Sequence, residues 1–436
     1  MSLFDIFPQL GVPPPFKAGF SVYRGARYTE PFVTSNDVAT PAGKLQKALT
    51  DSITAKANEP DHHQSLHERP PDDPHFLDFF PMPFTIADVT GTPPYPAAHY
   101  NGDEVDFDAS EMKVAVLFAA FELRAMVRRY ATTFSITTKA QLLKDLKALR
   151  PRIVDRVPEI KTATDVRRRP VRIQDAQRLP DFKRVLTIDD SVTPMKIDFN
   201  GAVADEPDKK KKKSTYDFGH SLFDMIVNSG DETARNCIDA IGYAFLNGAL
   251  EAGGFFERPT LTLDDRTTFR GLWVGGNYAF ETIRGVLSVN DGPAQFGGTT
   301  RQYARLFALI RAGTFADPND PGGDLMAFLL HKAQSGAFPP ALKFHGAFQY
   351  QLNKLGWAPL GKGGPKDNWV GSEVALLQKV KSDGSLGKLY VVAWQNMEVV
   401  YQPNNNLIAV AERGGHVLYF QADIVEIITK TVAAYE

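Results

Sequence analysis

Apolar and polar positions follow different rhythms along this chain. Residues 1–80 show little periodicity, because prolines at Pro13-Pro14-Pro15 and Pro70-Pro71 favour extended or turn backbone. One window, Pro41 to Ala57, spaces Leu45, Leu49 and Ile53 by four and predicts a short helix. From Phe84 the texture changes: FTIADVTG reads as a strand ending at a glycine turn and PAAHYNG as a second strand. After Ser110 comes VAVLFAAFELRAMVRRY, apolar almost all round and free of Gly and Pro, which predicts a helix deep in the core. An amphipathic helix from Thr138 to Leu149, with Leu142, Leu143, Leu146 and Leu149 on one side, leads into irregular sequence. Helical texture returns at SLFDMIVNSGDETARNCIDAIGYAFLNGAL. It recurs at Thr300 to Ala312, where Tyr303, Leu306, Phe307 and Ile310 share a side. Asp324 to Lys332 and Leu342 to Leu355 are predicted as two more helices. In the tail, GWAPLGKGG, SEVALLQKV, KLYVVAWQNM, LIAVAE and HVLYFQA read as strands joined by turns such as Ser382-Asp383-Gly384, before a final helix from about Asp423.

This order predicts an α+β fold, with an antiparallel sheet formed from both chain ends, flanked by helices, and a helical subdomain inserted between. Residues 1–80 are expected to be a Pro-rich extension laid over the outside of a main domain at 81–436. Within that domain the sheet part is 81–130 and 340–436, and the helical part is 131–339.

Composition narrows the function classes. The chain has 436 residues, 43% of them hydrophobic, enough for a sizeable core. Charged residues are 23% and nearly balanced, for a net charge of -2, which argues against nucleic acid as the main partner. The single cysteine, Cys237, excludes an intrachain disulfide. No stretch approaches the ~18–20 apolar residues of a membrane span, and MSLFDIFPQLGVPPP lacks a basic n-region, an apolar h-region and a cleavage site. The chain is therefore expected to be soluble, with its compartment left open between cytoplasm and, had a leader been removed, periplasm. The lysines from Lys209 to Lys213 read as a solvated loop, a patch for an anionic partner being the lesser reading. His62, His63, His67 and His75 cluster with Asp61, Asp72 and Asp73, but Pro60, Pro70 and Pro71 leave little room for the helix that a four-residue histidine spacing would need, and no metal site is expected. No phosphate loop is present; Trp357, Trp369 and Trp394 read as core or sheet-face residues.

The chemistry concentrates at Ser110-Glu111-Met112-Lys113. A serine at a helix start is ordinarily a cap, but a lysine three residues on shares its face. Val114, Ala115 and Val116 place that lysine in apolar surroundings. Desolvation favours the neutral amine, and a neutral amine beside a hydroxyl can take its proton and generate a nucleophile.

With these residues the chain resembles the serine β-lactamases and penicillin-binding proteins, whose motifs run S-x-x-K, S-x-N and K-[TS]-G in order. FTIADVTG…HYNGDEVDFDASEMK is similar to that family's strand pair and nucleophile helix. MIVNSGDETARNCIDAIG is similar to its second-motif segment, with Ser229-Gly230-Asp231 in the motif positions. GWAPLGKGGP resembles the third, with Lys362-Gly363-Gly364 in place. The resemblance implies Ser110 as nucleophile, Lys113 as base, Ser229 as proton relay beside Asp231, and Lys362, Gly363 and Gly364 as substrate binders. It also implies no cofactor, and a small-molecule or peptide substrate with an acidic group, such as a β-lactam or a peptidoglycan peptide. Three positions depart from the pattern: Asp231 replaces an amide, Gly363 lacks a hydroxyl, and Pro365 lacks the N–H that the family uses as an oxyanion donor. No clear deacylating glutamate is present; Glu281 is the nearest acidic candidate. These departures leave open the alternative of a catalytically inactive binding or interaction protein of the same fold.

Overall fold

The computed structural model describes residues 20–23, 28–57, 83–106, 108–149, 163–164, 170–171, 179–208, 210–257, 270–276, 278, 286–288, 292–294, 296–313, 322–337, 339–359, 368–400 and 416–436. In chain order the main elements are strand β1 (Phe32–Val33), helix α1 (Pro41–Ala57), strands β2 (Phe84–Asp88) and β3 (Tyr95–Tyr100), and helices α2 (Lys113–Thr133) and α3 (Lys139–Leu149). There follow helices α4 (Phe218–Val227), α5 (Asp231–Ile241), α6 (Tyr243–Ala252), α7 (Thr300–Arg311) and α8 (Gly322–Ala333). Strands β4 (Phe348–Pro359), β5 (Asn368–Val380) and β6 (Leu386–Val400) and helix α9 (His416–Tyr435) close the chain.

Both ends of the chain build one six-stranded sheet in the order β1-β3-β2-β6-β5-β4. The β2–β3 hairpin joins the β4–β5–β6 meander through the antiparallel β2–β6 pair, Trp394 opposite Phe84. Only the two-residue β1–β3 pair is parallel, so the sheet is mixed at that edge rather than antiparallel throughout. Successive residues serve opposite faces, as the strand period of two requires. Val374, Leu376, Val391 and Ala393 enter the core shared with the helical block. Ala375, Leu377, Val392 and Trp394 enter a second core, which α1 and α9 cover with Leu45, Leu49, Ile53, Ile424, Ile427 and Ile428.

Helix α2 lies at the centre of the first core, buried from Lys113 through Val127. Its interior charges survive because they have partners: Tyr28 donates to Glu122, and the Arg124 guanidinium stacks 4.5 Å from the Phe199 ring centroid.

Two predicted elements change type. Leu342 to Leu355 is not a helix; Phe348–Pro359 is the edge strand β4. The apolar spacing of Phe344, Phe348, Leu352 and Leu355 mimics a helix because the pairing with β5 shifts register between Tyr350 and Leu352. That irregularity moves the apolar positions from one face to the other: Phe348 and Leu355 lie in the outer core and Leu352 in the inner one. HVLYFQA is not a strand but the first turns of α9; a short apolar run carries no period that separates the two. LIAVAE lies outside the described residues.

Candidate active site

The site lies where the turn before α2 meets the edge strand β4 and the α4–α5 connection. The turn, Ala109–Met112, is a single 3₁₀ turn. Ser110 is half-buried in it, and its hydroxyl is not used as a helix cap, since α2 is capped by Met112 with no side-chain bond. Ala109 holds φ at +47°, a conformation its Cβ disfavours. The surroundings fix that strain in place. Tyr278 Oη donates to the Ala109 carbonyl at 2.8 Å, Ser372 Oγ to the Asp108 carbonyl at 3.1 Å, and Tyr303 Oη to the Asp108 carboxyl. Strand β4 presses on the other side. A Cβ on Gly356 would stand 2.2 Å from Asp108 O and 2.8 Å from Glu111 N, so the approach requires glycine.

Lys113 is fully buried. Its Nζ lies 2.8 Å from Ser110 Oγ, 2.7 Å from the Ser229 carbonyl oxygen, 3.4 Å from Ser229 Oγ and 2.6 Å from Asp231 Oδ1. The Tyr278 ring flanks it, its centroid 4.6 Å from the amine. Burial pulls the lysine below its ordinary pKa, and the Asp231 carboxylate pulls it part of the way back. Asp231 itself is largely solvent-exposed, at 66% of its side chain.

Ser229 reaches the lysine from the turn between α4 and α5, with φ at +53°. Asp224 organises that turn. Its side chain accepts from Asn228 Nδ2 at 3.0 Å, from Thr233 Oγ1 at 2.9 Å and from Lys213 Nζ at 2.9 Å. The last residue of the lysine run is thus anchored beside the site, while Lys210, Lys211 and Lys212 are exposed.

A second buried lysine completes the group. Lys354, on β4, places Nζ 3.0 Å from Ser229 Oγ and 2.8 Å from the Leu355 carbonyl oxygen. Burial, and then the neighbouring Lys113, hold it well below the lysine range. Around the turn, burial raises the carboxyls: Asp108 and Glu111 stand well above the usual carboxylate range. Glu373 on β5 is pushed up to about 8 by its burial.

The structure therefore brings Ser110, Lys113, Ser229 and Asp231 into one hydrogen-bonded group. Lys362, Gly363, Gly364, Pro365 and Glu281 lie outside the described residues, as do His62, His63, His67 and His75. Sequence reasoning missed Lys354, Gly356 and the Tyr278 and Tyr303 supports. The signal for the first two was present as Lys354-Leu355-Gly356, eight residues before the other K-x-G. Trp394 is fully buried in the outer core and Trp357 packs partly buried against it. Among the described residues no cluster of three or more His, Cys, Asp or Glu could hold a metal ion, and no helix is long and apolar enough to cross a membrane.

No family model matches the chain, and no curated protein matches it in sequence. Solved structures similar to it include a β-lactamase from Desulfarculus baarsii, 11% identical over 90% of this chain and 98% of that one, with a TM-score of 0.39. A β-lactamase from Xanthomonas campestris pv. campestris, 11% identical over 90% and 99%, also scores 0.39. One from Streptosporangium roseum, 11% identical over 90% and 99%, scores 0.37. Superpositions this loose carry no argument about function, which has to come from the side-chain geometry.

Proposed function

We propose that the chain is a serine hydrolase of the β-lactamase and penicillin-binding type, forming an acyl-enzyme on Ser110 with an amide or ester that carries an acidic group. The observation that carries this reading is the fully buried Lys113 amine 2.8 Å from Ser110 Oγ. A neutral Lys113 directs two N–H bonds at Ser229 O and Asp231 Oδ1 and its lone pair at the Ser110 hydroxyl. Ser110 Oγ then attacks the carbonyl carbon as its proton passes to Nζ. Ser229 Oγ, between Lys113 and Lys354, hands its proton to the leaving group as the carbonyl re-forms and takes back from Lys113 the proton that Ser110 had lost. For the oxyanion, support comes from β4. Leu355 gives its carbonyl to Lys354, so the odd-numbered residues there turn their backbone groups towards the open edge, and the Trp357 N–H, two residues on, is the proposed donor. Lys362, Gly363 and Gly364, which follow β4 in sequence, are proposed to meet the acidic group. The substrate is a β-lactam or a peptidoglycan-type peptide on this reading.

Intact-mass labelling with a fluorophosphonate and with a penicillin tests it. The expected result is a single adduct from each probe, absent in Ser110→Ala. A folded wild-type chain that takes neither label would refute the hydrolase and leave the fold with a binding role.

A further inference from the structure

The lysine run is tied into the rim of the site. Five lysines, Lys209 to Lys213, stand against three acids, Asp205, Glu206 and Asp208, in a chain whose net charge is -2. Like charges in a row repel and favour slack backbone, yet hydrogen bonds close this stretch into a turn. Asp208 accepts from the Lys210 N–H through Oδ1 at 2.9 Å and from the Lys211 N–H through its carbonyl at 3.0 Å. The Lys212 carbonyl accepts from Thr215 Oγ1 at 2.7 Å. Lys213 is fixed twice: its ammonium donates to Asp224 at 2.9 Å, and its carbonyl accepts from Asn236 Nδ2 at 3.3 Å. Asp224 lies on α4 and Asn236 on α5, the two helices whose connection carries Ser229. The turn therefore holds the exposed Lys210, Lys211 and Lys212 beside that connection. Ala204 and Glu206, just ahead of the run, line a cavity of about 550 Å³ together with Val227 and Asn228, the two residues before Ser229, and with Lys332 of α8. Lys213 is near enough to Lys113 for its charge to lower that buried amine. Against these cations stands Asp231, a largely exposed carboxylate 2.6 Å from the Lys113 amine. Alone, it would repel an anion approaching Ser110.

Building on the acyl-enzyme reading above, we propose that the lysine turn decides specificity: it selects substrates that carry negative charge away from the scissile bond and draws that charged end to the cavity beside Ser229. Lys210, Lys211 and Lys212 supply the field, which offsets the repulsion from Asp231. Lys213 ties the turn to Asp224 and keeps the other three in place. None of the four touches the reacting atoms. Their field reaches about 30 Å at 0.01 M salt and about 3 Å at 1 M, so the selection is strong in dilute salt and screened in concentrated salt.

The test compares two fluorophosphonates that differ only in the tail, one neutral and one ending in a sulfonate. The quantity read is the ratio of their second-order rate constants for labelling Ser110. For the wild-type chain the anionic probe is expected to label about 10-fold faster at an ionic strength of about 0.01 M, with the ratio falling towards one at about 1 M. The triple variant Lys210→Gln, Lys211→Gln, Lys212→Gln is expected to bring the low-salt ratio near one, and glutamates at the same three positions to bring it below one. All three side chains are exposed, so the variants keep the fold, and circular dichroism checks this. An anionic probe without an advantage on the wild-type chain, or an advantage that survives the triple substitution, overturns the proposal while labelling itself upholds the hydrolase reading. A wild-type chain that labels with neither probe fails the hydrolase reading. The lysine turn is then judged by equilibrium binding of an unreactive phosphonate diester with the sulfonate tail. Tighter low-salt binding to wild type than to the triple variant supports the selection of anions, and equal binding overturns it.

Discussion

On the acyl-enzyme reading, Asp231 sets the working pH of the site. Its carboxylate raises both Lys113 and Lys354 against the burial that lowers them. On that reading the reactive form has lost a proton from the buried amines, so labelling is expected to rise as pH climbs through that loss. Removing the anion makes the proton easier to lose. Asp231→Asn is therefore expected to shift the rising limb to lower pH, by about one unit or more, and rate profiles of Ser110 acylation read that shift. A limb that stays put or moves to alkaline pH would mean that Asp231 does not govern the lysines. An asparagine suits a neutral base better, so on the acyl-enzyme reading the aspartate tunes the site to a higher pH. At this scale Ser110 and Lys113 were legible because a three-residue spacing on a helix fixes their proximity. Ser229 and Asp231 were legible through the order of motifs. Tyr278 and Tyr303 were not, because a phenol that props a turn from a distant segment leaves no local pattern.

Strand β4 and the Ser110 turn behave as one unit, and Gly356 is the contact between them. A methyl there would lie 2.2 Å from the Asp108 carbonyl oxygen and 2.4 Å from Ser372 Oγ, both part of the support under Ser110. Gly356→Ala must push the strand and the turn apart by about an ångström, and a misplacement of that size can cost ~10²-fold in rate. The expected outcome is a folded protein, with unchanged far-ultraviolet circular dichroism, that labels 10- to 100-fold more slowly. Wild-type labelling would show that the turn is not held by the strand. The same element shows why Lys354 escaped the sequence reading. The irregularity between Tyr350 and Leu352 turns an alternating strand into a helix-like spacing, and a lysine assigned to a helix is not considered as a strand lysine of the third motif. Helices α1, α2, α3, α7 and α8, by contrast, carry regular apolar periods and were placed from those positions, whereas the first turns of α9 were not.

The whole molecule is a sheet between two cores, and its polar interior makes its stability depend on pH. Glu373 faces the outer core, where it accepts from Asn353 Nδ2 at 2.9 Å and from the Ala341 N–H at 3.2 Å. Its folded pKa of about 8 compares with 4.5 for the free side chain. Between those two values the folded state holds a proton that the unfolded state has released, so stability falls as pH rises across the window. The contribution is intact below about 4.5 and fully lost above about 8. Asp108 and Glu111 act in the same sense. Lys113 and Lys354 act oppositely, but only between their lowered folded pKa values and the ordinary lysine value of 10.5. Glu373→Gln removes the titration while keeping the bonds. Its amide oxygen accepts from the Ala341 N–H, and a flipped Asn353 offers Oδ1, now without a partner, to the new amide N–H. Each pKa unit between the two states is worth about 1.4 kcal/mol, so the variant should melt higher than wild type at pH 8 and show a flatter decline from pH 5 to 8. Thermal melts across that range decide it. Parallel curves for the two proteins would place the proton elsewhere in the buried cluster, and a variant less stable at pH 8 would mean that Glu373 is ionised and stabilising there, with the Lys354 ammonium as its counter-charge.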